Sequence, residues 1–270
     1  MGLLERKIAV ITGAGRGIGR AVAIAMAGEG ATVGVMARTQ KEIENVADEI
    51  KLKGGQCIAI AADVGCKNDI DHFFTIIHKK LGEVDILVNN AAIAKPLGYL
   101  WETDPEEWLN VFNINVVGMA RCTRAVLPAM IKKRSGKIII VGSHAAWSDN
   151  WAINCCEQMV YGISKAAVKR FSEILTEQVK NYGINVNCIG VEADTTLGQD
   201  AFQALAKLRG DITSNKIKYK PVEKMIMPEE NVAPFIFLSS SLSDHITGVY
   251  IEANKMPENI RKFEENISGK

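Results

Sequence analysis

Tyr161 and Lys165 stand four residues apart in the run Tyr161-Gly162-Ile163-Ser164-Lys165. On a helix that spacing stacks the two side chains on one face, about 5–6 Å apart. A free phenol titrates near 10 and is a poor base at neutral pH, but a neighbouring ammonium favours the phenolate and lowers that value. The pair is therefore predicted to move a proton on or off a substrate oxygen, with Tyr161 as acid/base. Ser143 joins them: it follows the apolar run Ile138-Ile139-Ile140-Val141, at the strand edge where doubly wound sheets bind ligands. Its hydroxyl can donate to a carbonyl oxygen or hold an alkoxide. A nucleophilic serine is disfavoured, because Gly142-Ser143-His144-Ala145 is not G-x-S-x-G and nothing marks a third triad member.

A second chemistry is written near the start. Gly13-Ala14-Gly15-Arg16-Gly17-Ile18-Gly19 follows the run Ile8 to Thr12 directly, and Ile18, Val22, Ala25 and Met26 then keep helical spacing. Strand, glycine turn and helix in that order suit a pyrophosphate. The glycines let the backbone approach closely, and the N–H groups of the helix start face the negative charge. The spacing is not that of a P-loop, which ends in Gly-Lys-Ser/Thr.

These residues need a scaffold, and the rest of the chain predicts one. Strands are expected at Thr32–Met36, Cys57–Ala62, Ile86–Val88, Ile138–Val141, Ile184–Ile189 and Val249–Ile251. Between them lie amphipathic stripes such as Ile43, Val46, Ala47 and Ile50, closed by Gly54-Gly55. Asp104, Pro105 and Glu107 mark the start of a long helix through Asn115 to about Met130, with a capping-box-like pattern. A helix should span Met159 to Val179, and Pro228 should open another reaching Leu238. Repeated β-α units imply an α/β, Rossmann-type doubly wound parallel sheet with helices on both faces. The whole chain, 1–270, is expected to be one domain.

Composition narrows the setting. Of 270 residues 47% are hydrophobic, and 32 Lys and Arg against 31 Asp and Glu leave a net charge of +1. No global field draws in nucleic acid or an anionic membrane, no apolar run reaches a span of roughly 18 residues, and the start lacks a signal-peptide h-region. A cytoplasmic protein is expected. The six cysteines show no zinc-ligand spacing, so no metal is expected and most thiols should be small buried hydrophobes.

Thr12-Gly13-Ala14-Gly15-Arg16-Gly17-Ile18-Gly19, Asn89-Asn90-Ala91-Ala92 and Tyr161-Gly162-Ile163-Ser164-Lys165 together resemble the short-chain dehydrogenase/reductase family over essentially the whole chain. The resemblance implies about seven parallel strands, a nicotinamide cofactor, and a homodimer or homotetramer. It implies that Gly13, Gly15, Arg16, Gly17, Ile18 and Gly19 hold the cofactor phosphates, and that Asp63-Val64 hold the adenine. Asn90 would support sheet and cofactor, and Lys165 would also bind the nicotinamide ribose. Asn115, seven residues after Trp108, matches the family's catalytic asparagine and would hold a water relaying protons to Lys165; Asn113 is the near miss. Thr196 stands at the expected cofactor threonine. Two departures stand out: Val191-Glu192 where a Pro-Gly turn is usual, and Asn254-Lys255 where Gly-Gly is usual.

The end of the second strand bears on which nicotinamide cofactor binds. NAD users place an acid there for the ribose hydroxyls; here Ala37 is followed by Arg38, and Arg16 lies in the glycine loop. Two guanidiniums can grip a 2′-phosphate, so NADP(H) is favoured over NAD(H). Substrate loops are expected at about 144–160 and 192–222. Their Trp147, Trp151, Met159, Leu197, Phe202 and Leu205 suggest a hydrophobic alcohol or ketone. A carrier-protein substrate is disfavoured, because Glu177 stands where the family's second basic residue beside Arg134 would be. A non-catalytic nucleotide-binding regulator on the same fold is the alternative; the Tyr161 and Lys165 pair favours the enzyme.

Overall fold

Alternating apolar side chains feed both faces of each inner strand, which is what a sheet covered on two sides requires. In a computed structural model, residues 2–146, 156–191, 197 and 226–256 are described. The first units are β1 (Ile8–Thr12), α1 (Gly17–Gly28), β2 (Thr32–Ala37), α2 (Gln40–Leu52), β3 (Gln56–Ala61) and α3 (Lys67–Lys80). There follow β4 (Ile86–Asn89), α4 (Pro105–Phe112), α5 (Met119–Lys133), β5 (Gly136–Gly142), α6 (Met159–Val179), β6 (Ile184–Gly190), α7 (Ala233–Ser239) and β7 (Tyr250–Glu252). The seven strands form one parallel sheet in the order β3-β2-β1-β4-β5-β6-β7.

That order winds outward from β1, returns beside it with β4, and winds the other way. A crevice opens where the direction reverses, beyond the carboxyl ends of the strands. Ala9 and Ile11 of β1 and Ile139 and Val141 of β5 join the core under α1, α2 and α7. Val10, Ile138 and Ile140 join the opposite core under α3, α5 and α6. Fully burying each of these valines and isoleucines contributes about 1.5–3 kcal/mol.

Local signals act as read, with three corrections. Asp104 caps α4, but its carboxylate accepts from the Glu106 N–H at 2.9 Å, so the cap does not rely on Glu107. The long helix is interrupted: Asn113–Gly118 forms a wider π-turn between α4 and α5. The helix expected from Pro228 to Leu238 is a 3₁₀ turn, Pro228–Asn231, followed by α7. Pro234 explains the break, because it has no N–H for the helical ladder and is tolerated only in a first turn. The stretch Pro105–Lys133 is long and apolar enough to cross a membrane by length and composition, yet its inner face packs against the sheet through Cys122, Val126 and Met130.

Candidate active site

The glycine turn is built by conformations that side chains resist. Gly13 and Gly17 have φ of 64° and 54°, the left-handed region glycine tolerates best. A Cβ on Gly19 would lie 2.4 Å from the Gly13 carbonyl oxygen, so the first turn of α1 can press against the loop only without one. Asn90, just past β4, fixes that loop: its Nδ2 donates to the carbonyls of Thr12 at 2.9 Å and Gly13 at 3.1 Å. Thr12 is buried, and its hydroxyl accepts the N–H groups of Asn90 and Ala91 at 3.0 and 3.1 Å. These bonds lock the ends of β1 and β4 across the point where the sheet reverses.

A cleft runs from this turn in both directions. One end is lined by Arg16, Ala37, Arg38, Glu42 and Asp63; the other by Gly142, Tyr161, Lys165, Val191 and Leu197. The cleft thus suits a ligand with two ends and phosphates between them, and the positive-φ glycines leave backbone free to approach it. Asp63 Oδ1 closes a turn by accepting the Gly65 N–H at 2.8 Å, while the residue also faces the cleft. Val64 and Ile18 supply its apolar walls, 7% exposed each.

At the second of these ends, α6 carries Tyr161 and Lys165 on one face as its spacing predicts. The Lys165 ammonium lies 5.7 Å from the centre of the Tyr161 ring and donates to the Val141 carbonyl at 2.7 Å. The Ser143 side chain acts on the Tyr161 phenol, favouring its ionised form. Ser143 itself sits where β5 ends, its Oγ accepting the Ala145 N–H at 3.2 Å.

The electrostatics show what burial does to the pair before any cofactor charge is present. Burial pushes the Tyr161 phenol above its ordinary value of 10, and Ser143 pulls it the other way. The same burial lowers Lys165 from 10.5 to about 8. Desolvation, which disfavours the charged form, is the largest cause of the shift in each group. Without the cofactor's charge Tyr161 therefore keeps its proton at neutral pH.

Asn115 lies in the π-turn and is 2% exposed. Its Oδ1 accepts the Ile93 N–H at 2.8 Å, and its Nδ2 donates to the Ile93 carbonyl and to Ser164 Oγ, both at 2.9 Å. The side chain thus joins the segment after β4 to α6 one residue before Lys165. Asn113, the near miss, bonds the Gly65 carbonyl and Arg121 instead.

The model of the short chain dehydrogenase family matches residues 7–204. The chain belongs to the short-chain dehydrogenase family. It is 32% identical over 249 residues to 2,3-dihydro-2,3-dihydroxybenzoate dehydrogenase of Bacillus subtilis, covering 90% of this chain and 93% of that one. It is 31% identical over 253 residues to 3-oxoacyl-[acyl-carrier-protein] reductase FabG of Salmonella typhimurium, covering 93% and 96%. The crystal structure of a short-chain type dehydrogenase/reductase from Mycobacterium marinum superimposes with a TM-score of 0.80 at 30% identity, covering 92% of this chain and 94% of that one. The protein is thus an oxidoreductase of a family that binds NAD(P). Nothing in these similarities supports the non-catalytic alternative.

Within this short-chain dehydrogenase the motif residues Gly13, Gly15, Gly17, Ile18, Arg16, Arg38, Asp63, Val64, Asn90, Tyr161 and Lys165 line or frame one cleft. Thr196, Glu192, Trp147, Trp151, Phe202 and Leu205 lie outside the described residues. The thiols are less uniform than expected. Cys122 and Cys188 are buried and held near 12 by desolvation, but Cys66 and Cys156 are exposed. Among the described residues no cluster of His, Cys, Asp and Glu could hold a metal ion.

Sequence reasoning missed two residues that the site depends on. Thr12 was legible only as the residue before the glycine turn, although its hydroxyl organises both strand ends. Ser164, 0% exposed, accepts from Asn115 and donates to the Tyr161 carbonyl at 2.8 Å. A buried serine inside the Tyr-to-Lys interval is the signal that could have found it, because a buried hydroxyl needs partners.

Proposed function

We propose that this short-chain dehydrogenase interconverts a hydrophobic secondary alcohol and its ketone, with NADP(H) preferred over NAD(H). The observation that supports it is a cleft with Tyr161 and Lys165 at one end and Arg16 and Arg38 at the other, with Ser143 acting on the Tyr161 phenol. When bound, the nicotinamide would supply or take the hydride. Ser143 would hold the substrate oxygen, and Tyr161 would give or take its proton. Lys165 would bind the nicotinamide ribose and stabilise the phenolate once the cofactor's charge is present. Asn115 has its side chain committed to Ile93 and Ser164, so a relay to Lys165 through water would begin at its main chain. Gly13, Gly15, Gly17 and Gly19 would take the phosphates, Asp63 and Val64 the adenine, and Thr196 the nicotinamide side.

The chain would work as one domain, 1–270, with substrate loops at about 144–160 and 192–222. Leu197, which faces the cleft, agrees with an apolar substrate. A carrier-bound substrate is disfavoured: Arg134 donates to the Asn181 carbonyl at 2.6 Å and lies against Tyr182, while Glu177 pairs with Lys180. Cys57, Cys66, Cys122 and Cys188 are free thiols, which suits a reducing cytosol.

Alcohols and ketones read at 340 nm with each cofactor test the reading. Turnover with NADPH, weakened in Arg38→Ala roughly 10- to 150-fold in affinity, is expected, since a charge-assisted bond is worth about 1.5–3 kcal/mol. A wild type that favours NADH overturns the assignment of Arg38. An oligomer is also expected, because Val117, Ile163 and Ile174 leave apolar surface exposed on helical segments that pack together. Sedimentation velocity should give at least twice the 29.5 kDa chain mass; a monomer would count against it.

A further inference from the structure

The acid that β2 lacks is supplied by the next helix. Glu42 stands in the first turn of α2 and is half-buried at the end of the cleft that holds Arg16 and Arg38. A Cβ on Gly15 would lie 2.8 Å from Glu42 Oε2 and 3.5 Å from the Ala37 Cβ. The carboxylate therefore reaches over the glycine turn into the corner beside the short Ala37 side chain. Among the described residues no ion pair joins it to Arg16 or Arg38, so its charge is not spent on either guanidinium.

We propose that Glu42 is a cofactor-specificity residue: its carboxylate accepts the ribose hydroxyls of a dinucleotide without a 2′-phosphate and opposes that phosphate when it is present. The two arginines and this one acid then pull in opposite directions, and the enzyme binds both dinucleotides with a narrower preference than Arg16 and Arg38 alone would impose. Carboxylate acceptance of a hydroxyl is a charge-assisted bond, whereas two anions in one corner repel. Ala37 has no polar atom with which to do either. The inference rests on the nucleotide reading of the cleft.

Dissociation constants for NADPH and NADH, measured by nucleotide fluorescence on wild type, Glu42→Gln and Glu42→Ala, test it without turnover. Loss of the carboxylate should tighten NADPH and weaken NADH, moving the ratio of the two constants roughly tenfold toward NADPH. Arg38→Ala should move the same ratio the opposite way. Among the described residues the carboxylate has no ion pair to lose, so only the small drop in melting temperature that follows from removing a first-turn acid is expected; Glu42→Asp, which keeps the charge but withdraws it, should give an intermediate ratio. Ratios within twofold of wild type in both Glu42→Gln and Glu42→Ala overturn the role of Glu42 while leaving Arg38 untouched. A wild type that binds neither dinucleotide overturns the nucleotide reading and this inference with it.

Discussion

Tyr161→Phe is expected to slow turnover by about 10²–10⁴-fold, the usual contribution of a positioned acid/base. The substitution removes one oxygen and keeps the ring that packs beside Lys165, so cofactor affinity should change less than threefold, roughly. Steady-state rates and a fluorescence titration on the same preparation separate the two. A variant that keeps more than about a tenth of the wild-type rate would show that another group moves the proton. The phenol also sets the direction of the pH dependence. Because burial holds Tyr161 above 10, ketone reduction, which needs the protonated phenol, should persist at neutral pH and fall in alkali. Alcohol oxidation should rise with pH.

Lys165→Met is expected to lower turnover by at least about 10²-fold and to weaken cofactor binding. Its effect on folding carries a separate signature. Lys165 is 4% exposed, and its value falls from 10.5 to about 8 in the folded protein. Between those two values the unfolded chain holds a proton that the folded chain has released, so stability rises with pH through that window. Below about 8 the cost of the buried ammonium is present in full, on the order of 3 kcal/mol. Methionine carries no such charge. Denaturant unfolding at pH 7.5 and 10 should therefore show the wild type gaining on the variant as pH rises. The Val141 carbonyl, which loses its Lys165 donor in the variant, adds a cost that does not depend on pH and leaves this slope alone. A difference that stays flat would place the Lys165 ammonium in better solvent than its burial indicates.

Much of this fold is legible because its signals are local. Met159–Val179 is bounded as its apolar spacing reads, and Gly54 ends α2 with φ of 82°. Ser143, Tyr161 and Lys165 are legible for a related reason: a strand edge and one helical turn set their positions. What stays hidden depends on distant pairings. Thr12 meets Asn90 across 78 positions, and Asn115 meets Ser164 across 49, separations that no periodicity encodes. The protonation of Tyr161 is hidden for another reason. Spacing shows that an ammonium is near but not how much water has been excluded around both groups, and here exclusion wins. Glu42 is hidden as Thr12 and Asn115 are, because its approach to Gly15 joins a helix to a turn 27 positions away.

The π-turn at Asn113–Gly118 makes helical phase a property of the enzyme. A π-turn acts as a single inserted residue, and one residue advances an α-helix by about 100°. Upstream of it, α4 follows one angular setting; downstream, Met119, Cys122, Val126 and Met130 follow another that faces the sheet. Asn115, inside this junction, accepts the Ile93 N–H. Gly118 marks the same junction, since a Cβ there would lie 2.6 Å from the Val64 carbonyl oxygen. Deleting one residue in this segment would restore a regular helix and leave a choice between two faults: the Asn115 clamp rotates away, or the core stripe does. Shortening the helix by one position is therefore a change that neither the core nor the active site can absorb alone.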